Sequence, residues 1–197
     1  MRIAGAGSAF PDFCYPQGIL TEALKRHWGP RLERPGLLER VHARAGVEQR
    51  HISFPIEKYA QFNTWGESNR AWLEVAGELG RKAIDAALER AGLARRGIDA
   101  LFAISITGIA SPSLDARLIN LMGLRADVRR TPIFGLGCVG GAVGITRAAD
   151  YVKAYPGQAA VLLAVELCSL TIQKDEVSPV NLISTGLFSD GAAAVVL

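Results

Sequence analysis

Cys138, in FGLGCVGGA at 134–142, has more potential chemistry around it than any other residue of the chain. An apolar segment, TPIFGL (131–136), leads into Gly137 and Cys138, and a helical pattern begins at Val139. Strand, tight turn, nucleophile and helix in that order make a nucleophile elbow. Gly135, Gly137, Gly140 and Gly141 permit a sharp turn with little side-chain obstruction. A thiol at a helix start faces unpaired backbone N–H groups and the positive end of the helix dipole, which favour the thiolate. A thiolate is what acyl transfer from a thioester requires. A cysteine between small residues is also ordinary packing, since free Cys is among the most buried residue types. Local features alone leave both readings open.

The remaining reactive side chains narrow the classes. Cys14 and Cys168 lie far from Cys138 and from each other, with no CxxC spacing, which argues against a disulfide framework and a structural zinc site. His27, His42 and His51 have no second ligand at metal-binding spacing, so no metal site is expected and they read as structural or surface residues. The net charge of +3 is dispersed, and its densest basic clusters are pairs such as Arg95-Arg96 and Arg129-Arg130. That excludes an extended nucleic-acid surface and leaves room for a local patch that meets an anionic small molecule. The N-terminal MRIAGAGSAF lacks the apolar core of a signal peptide. The apolar run AAVLLAV (159–165) is far short of the ~20 residues of a membrane span. A reduced, soluble, cytoplasmic protein is the expectation.

The elements that must position Cys138 follow from periodicity. Residues 2–9, 100–107, 131–136 and 159–165 read as short buried strands, and 192–197 as a final core strand. Helices are expected from Thr21 to His27, Leu37 to Ala45, Asn69 to Ala91, Leu114 to Met122 and Val139 to Ala154. Gly46, Gly92 and Gly123 stand where helices stop, and Val143, Thr146 and Ala149 are expected to face the core from the last helix. Residues 54–67 read as irregular, and a loop separates 159–165 from the last strand. Apolar strands alternating with helices predict a layered α/β fold, its central sheet covered on both sides. With 197 residues and 49% hydrophobic content, one large domain over 1–197 is expected. A chain stopping in a core strand is unusual, so the sequence reads as truncated or incomplete.

FGLGCVGGA resembles the active-site cysteine motif of the type III polyketide synthases, the chalcone and stilbene synthase family of the thiolase superfamily. SITGIASPSLDARLINLMGLRADVRR (105–130) is similar to the stretch leading to that cysteine, and GLFSDGAAAVVL (186–197) to the segment around the family's gatekeeper phenylalanine. The three strings cover about a quarter of the chain and stand in the family's order. The resemblance implies a layered α-β-α, thiolase-like N-terminal half with a central mixed sheet, the C-terminal half of the family fold being absent from 1–197. STGLFSDGAAA, GCVGGAVG and TGIASPSLDARL look most like bacterial members that make alkylresorcinols and alkylpyrones from fatty acyl-CoA.

By resemblance, Cys138 is the acyl-accepting nucleophile, and Phe188 gates the CoA tunnel and assists decarboxylation of malonyl-CoA. Cys168 and Thr171 would line the initiation and elongation cavity, and Ser184 would shape it; strand-end packing is the other role open to Cys168. Glu166 reads as a buried structural carboxylate. Arg40 and Arg44 match two basic residues at the CoA entrance, the third of that trio being Leu37 here. Ser111 falls where plant members usually carry a bulky Met reaching toward the partner subunit's cavity, and its small size suits a long acyl starter. The substrates implied are acyl-CoA and malonyl-CoA, with no further cofactor, no nucleic acid, no stable membrane insertion and a homodimer as the assembly. The family's catalytic His and Asn come from the second half of a chain about twice this length, and none of His27, His42 or His51 has a matching context. Two alternatives stay open: another condensing enzyme of the superfamily, of ketoacyl synthase or hydroxymethylglutaryl-CoA synthase type, and a non-catalytic half that supplies dimer contacts.

Overall fold

A computed structural model describes residues 2–32, 34 and 36–197, which divide into two compact units. The strands are β1 (Gly5–Ala9), β2 (Phe13–Pro16), β3 (Gln49–Ile52), β4 (Ala100–Ile104), β5 (Arg129–Ile133), β6 (Ala160–Leu167) and β7 (Asp190–Val196). The α-helices are α1 (Gln17–Trp28), α2 (Leu37–Arg44), α3 (Trp65–Ala91), α4 (Leu114–Met122), α5 (Gly140–Ala154) and α6 (Pro179–Leu187).

The first unit comprises residues 2–10, 69–166 and 191–197. Its sheet has the order β1-β7-β6-β4-β5. β4 pairs parallel with both β5 and β6, and β1 pairs antiparallel with β7. Leu197 and Ala160 exchange reciprocal N–H···O bonds of 2.9 and 3.0 Å, the pattern of an antiparallel pair, so the sheet is mixed. The two-residue alternation of strands sorts the helices onto its faces. Phe102, Ile104 and Leu162 point to the face covered by Ala148 of α5. Leu163 points to the other face, where a Cβ on Gly80 of α3 would lie 3.0 Å from Leu163 Cδ2 and 3.4 Å from Leu118 of α4. β4 is buried at all five residues because neighbours and helices enclose it on every side.

Two sequence expectations need correction here. TPIFGL is not a buried strand: β5 starts at Arg129, ends at Ile133, and is exposed over its first four residues. It is the edge strand, which is where Pro132, with no N–H to give a second neighbour, can stand. The core face of α5 also differs from Val143, Thr146 and Ala149. Gly140, Gly144, Ala148 and Ala149 are buried, Thr146 is exposed and Val143 is only half-buried. The glycines carry no hydrophobic signal, yet their lack of a side chain lets the helix press on the sheet.

The second unit comprises residues 11–68 and 167–190. β2 and β3 pair antiparallel, Phe13 opposite Ile52. Trp28, Leu38 and Leu182, from α1, α2 and α6, form its core with Leu24, Leu37 and Ile172 against them. α6 stands where sequence periodicity gives a loop; Ser178 caps it, its hydroxyl accepting the Asn181 N–H at 3.4 Å, and Pro179 opens it. Residues 56–61 form a short 3-10 helix inside the stretch read as irregular. No described helix is long and apolar enough to cross a membrane.

Candidate active-site residues and their supports

In the first unit the chain leaves β5 and turns twice through the left-handed region, at Gly135 (φ 84°) and Gly137 (φ 58°). A side chain at either position would cost roughly 1–2 kcal/mol per residue. Cys138 follows in a single 3-10 turn, Gly137–Val139, that runs directly into α5, and its thiol is exposed. A Cβ on Gly144 would stand 2.6 Å from Ile104 Cδ1 and 2.6 Å from Leu162 Cδ1. The bare glycine face therefore seats the start of α5 against β4 and β6, and the seat fixes where Cys138 emerges. The Gly140 N–H donates to Gly137 O and closes this turn, so the thiol stands where the 3-10 turn passes into α5, near the positive end of the helix dipole.

The loop after β4 carries Ser111, which is exposed. Three residues hold that loop. Both oxygens of Glu166 accept the Ile106 N–H, at 3.1 and 3.2 Å, and Ser105 Oγ donates to Oε2 at 3.4 Å. Burial pushes the Glu166 carboxyl up, against the opposing pull of these hydrogen bonds. Trp72 Nε1 donates to Thr107 Oγ1 at 3.2 Å, and Gly108 lies so flat on the indole that a Cβ would come within 2.1 Å of Trp72 Cδ2. Asn69 both accepts from the Ile109 N–H and donates to the Ile109 carbonyl, each at 2.9 Å. Sequence reasoning singles out neither Asn69 nor Trp72, because both read as ordinary positions of a long helix.

The second unit holds the other candidates. Phe188 caps the C-terminus of α6 in an extended conformation, its N–H donating to Ser184 O at 3.0 Å, and the residue is 43% exposed. Ser184 lies one turn earlier and is half-buried. Cys168 and Thr171 are the ends of one 3-10 turn, closed by Thr171 Oγ1 donating to Cys168 O at 2.8 Å. Between them, Ser169 donates its N–H to Asp190 Oδ1 at 2.8 Å and its hydroxyl to Oδ2 at 2.5 Å, while Ser53 Oγ donates to the same Oδ2 at 2.5 Å. One buried carboxylate thus ties the Cys168–Thr171 turn to the segment of Phe188; burial pushes this carboxyl up and the donors hold it down. Arg40 and Arg44 lie a turn apart on the exposed face of α2, opposite buried Leu38 and His42. Leu37, at the place of the third basic residue, packs against Trp28, Leu38 and Leu182. Among the described residues no group of His, Cys, Asp and Glu could hold a metal ion.

The chalcone and stilbene synthases, N-terminal domain, match residues 3–197. The chain belongs to this family. It is 51% identical over 195 residues to a 1,3,6,8-tetrahydroxynaphthalene synthase of Streptomyces peucetius subsp. caesius, covering 98% of this chain and 51% of that protein. It is 33% identical over 164 residues to a phloroglucinol synthase of Pseudomonas fluorescens, covering 83% and 47%. The crystal structure of the 1,3,6,8-tetrahydroxynaphthalene synthase of Streptomyces coelicolor A3(2), a bacterial type III polyketide synthase, superposes with a TM-score of 0.92 at 33% identity, over 100% of this chain and 56% of that one. The chain spans about half the length of the curated relatives it matches. Its mixed sheet between helices is therefore the N-terminal half of the type III polyketide synthase fold.

Proposed function

We propose that this chain carries the acyl-accepting half of a type III polyketide synthase, with Cys138 as nucleophile. The thiolate adds to the carbonyl of an acyl-CoA; the bond to the CoA sulfur breaks and CoA leaves, with the acyl group held on Cys138. Malonyl-CoA then loses CO2, and the carbanion so formed attacks the acyl carbonyl. A carbon–carbon bond forms, the bond to Cys138 breaks, and the thiolate is restored. Phe188 offers an aromatic face that cannot solvate the malonyl carboxylate, which favours loss of CO2. Arg40 and Arg44 offer charge to the CoA phosphates, Cys168, Thr171 and Ser184 are assigned to the cavity of the growing chain, and Ser111 to the position that reaches toward the partner subunit's cavity. The family's His and Asn belong to the half of the fold that this chain does not match. The homodimer and the cytoplasmic location belong to the same proposal.

The observation that carries this reading is Cys138 exposed on the turn between two left-handed glycines and the glycine-faced start of α5, in a chain of this family. On the starter, the relatives' products favour a short one: tetrahydroxynaphthalene and phloroglucinol are hydroxylated aromatics without an alkyl chain. A long fatty acyl starter is the second reading and rests on the small Ser111. Intact-mass spectrometry after incubation with malonyl-CoA, and separately with a long-chain acyl-CoA, tests both. The expected result is an adduct on the native chain and none on Cys138→Ala. A folded protein that takes up no acyl group from either donor sinks the assignment, and the preferred donor decides the starter.

A further inference from the structure

Arg50 is a charged side chain buried to 5% exposure. Among the described residues its hydrogen-bond acceptors are neutral, and the Asp190 carboxylate acts on it only through its charge. Nε donates to Gln17 Oε1 at 2.8 Å and Nη1 to the Phe188 carbonyl at 3.0 Å. Gln17, 8% exposed, in turn donates Nε2 to the Gly186 carbonyl at 2.6 Å. The next residues are fastened as well. The His51 N–H donates to Ser189 Oγ and Ser189 Oγ donates back to His51 O, both at 2.9 Å, and Ser53 holds Asp190. The Asp190 carboxylate offsets part of the cost of burying this guanidinium without bonding it directly, so an aliphatic residue would serve a merely apolar core better. Burial, opposed by the Asp190 charge, pulls Arg50 down to about 10, which still leaves it charged at neutral pH. A fixed cation that reaches in two directions suits the task of pinning carbonyls where α6 ends.

We propose that Arg50, braced by Gln17, is the positioning residue for Phe188, setting how its aromatic ring is presented by clamping the Gly186 and Phe188 carbonyls. This rests on the reading of Phe188 given above. An aromatic gate works only if its ring holds one attitude, and Phe188 is the extended residue that follows the last turn of α6, where main-chain bonding thins out. Lysine keeps the charge but, as a point donor on a flexible stem, cannot span both Gln17 Oε1 and the Phe188 carbonyl.

The test places 4-fluorophenylalanine at position 188 or, as a reference, at buried Phe54 of the same unit, and records fluorine NMR in the parent, in Arg50→Lys and in Gln17→Met. The expected result is one resonance at 188 in the parent that broadens about two-fold or more, or splits, in both variants, while the resonance at 54 keeps its shift and width. An unchanged 188 signal overturns the inference, and so does an equal change at 54, which would mark general loosening. Should Arg50→Lys fail to fold, Gln17→Met decides; collapse of both variants would assign the pair to folding alone and overturn it. Failure of Cys138 to take an acyl group sinks the functional proposal whatever the fluorine signal does, so the two are separable.

Discussion

His42 shows how burial of one titratable residue sets a pH limit. It is 1% exposed, with Thr21 Oγ1 2.8 Å from Nδ1 and Thr185 Oγ1 3.4 Å from Nε2. Burial, with the Arg50 charge adding to it, pushes the imidazole down to about 4, against about 6.5 in an unfolded chain. The folded pKa is the lower one, so between pH 6.5 and 4 the unfolded chain takes up a proton that the folded protein does not. Stability present above pH 6.5 is therefore lost as pH falls through that window and levels off below it, a loss of about 3 kcal/mol in all. Urea unfolding at a series of pH values should show this slope, and His42→Gln should remove most of it. An equal slope in the variant would place the acid sensitivity elsewhere. Residues of this kind were only partly legible in the sequence. Cys138 and Phe188 sit in motifs, whereas Arg50 and Asp190 owe their roles to partners more than a hundred residues away. No local pattern announces such a pairing.

The elements divide in the same way. α4 and its closing Gly123, at φ 61°, follow from the sequence because a clear apolar stripe ends on a residue free to turn left-handed. β2 and β3 do not, since FCYP and QRHI are four-residue strands with mostly exposed or polar side chains. α6 had a readable start in Ser178-Pro179, but PVNLISTGL offers little polar contrast to mark a helix face. In α5 the buried stripe is glycine and alanine, so hydrophobicity points to the wrong side. This makes Gly144→Val a sensitive probe. Its Cβ would displace the ends of Ile104 and Leu162, flexible enough to yield at a cost of about 1–3 kcal/mol. Thermal unfolding should fall by several degrees, and acyl capture by Cys138 should slow because the elbow rides on that helix. A variant with lowered stability and native acylation rate would show that the seat of α5 does not govern the thiol.

Over the whole chain, the order β1-β7-β6-β4-β5 carries a message about assembly. Among the described residues β1 pairs with β7 and with no other strand of the sheet, from Gly5 opposite Val196 to Ala9 opposite Ala192. The first strand made thus waits for the last described one, and the contact spans nearly the entire sequence, a separation that slows folding. A chain ended after Ser189 should keep amide protection in β4 and β6 but lose it over residues 5–9, as hydrogen exchange read by mass spectrometry would report. Native protection there would refute the dependence. During synthesis the same arrangement leaves GAGSA without a partner until residue 196 has cleared the ribosome. The growing chain therefore carries an unpaired strand while nearly all of residues 10–190 are translated, and that strand is where a ribosome-bound chaperone would be needed most.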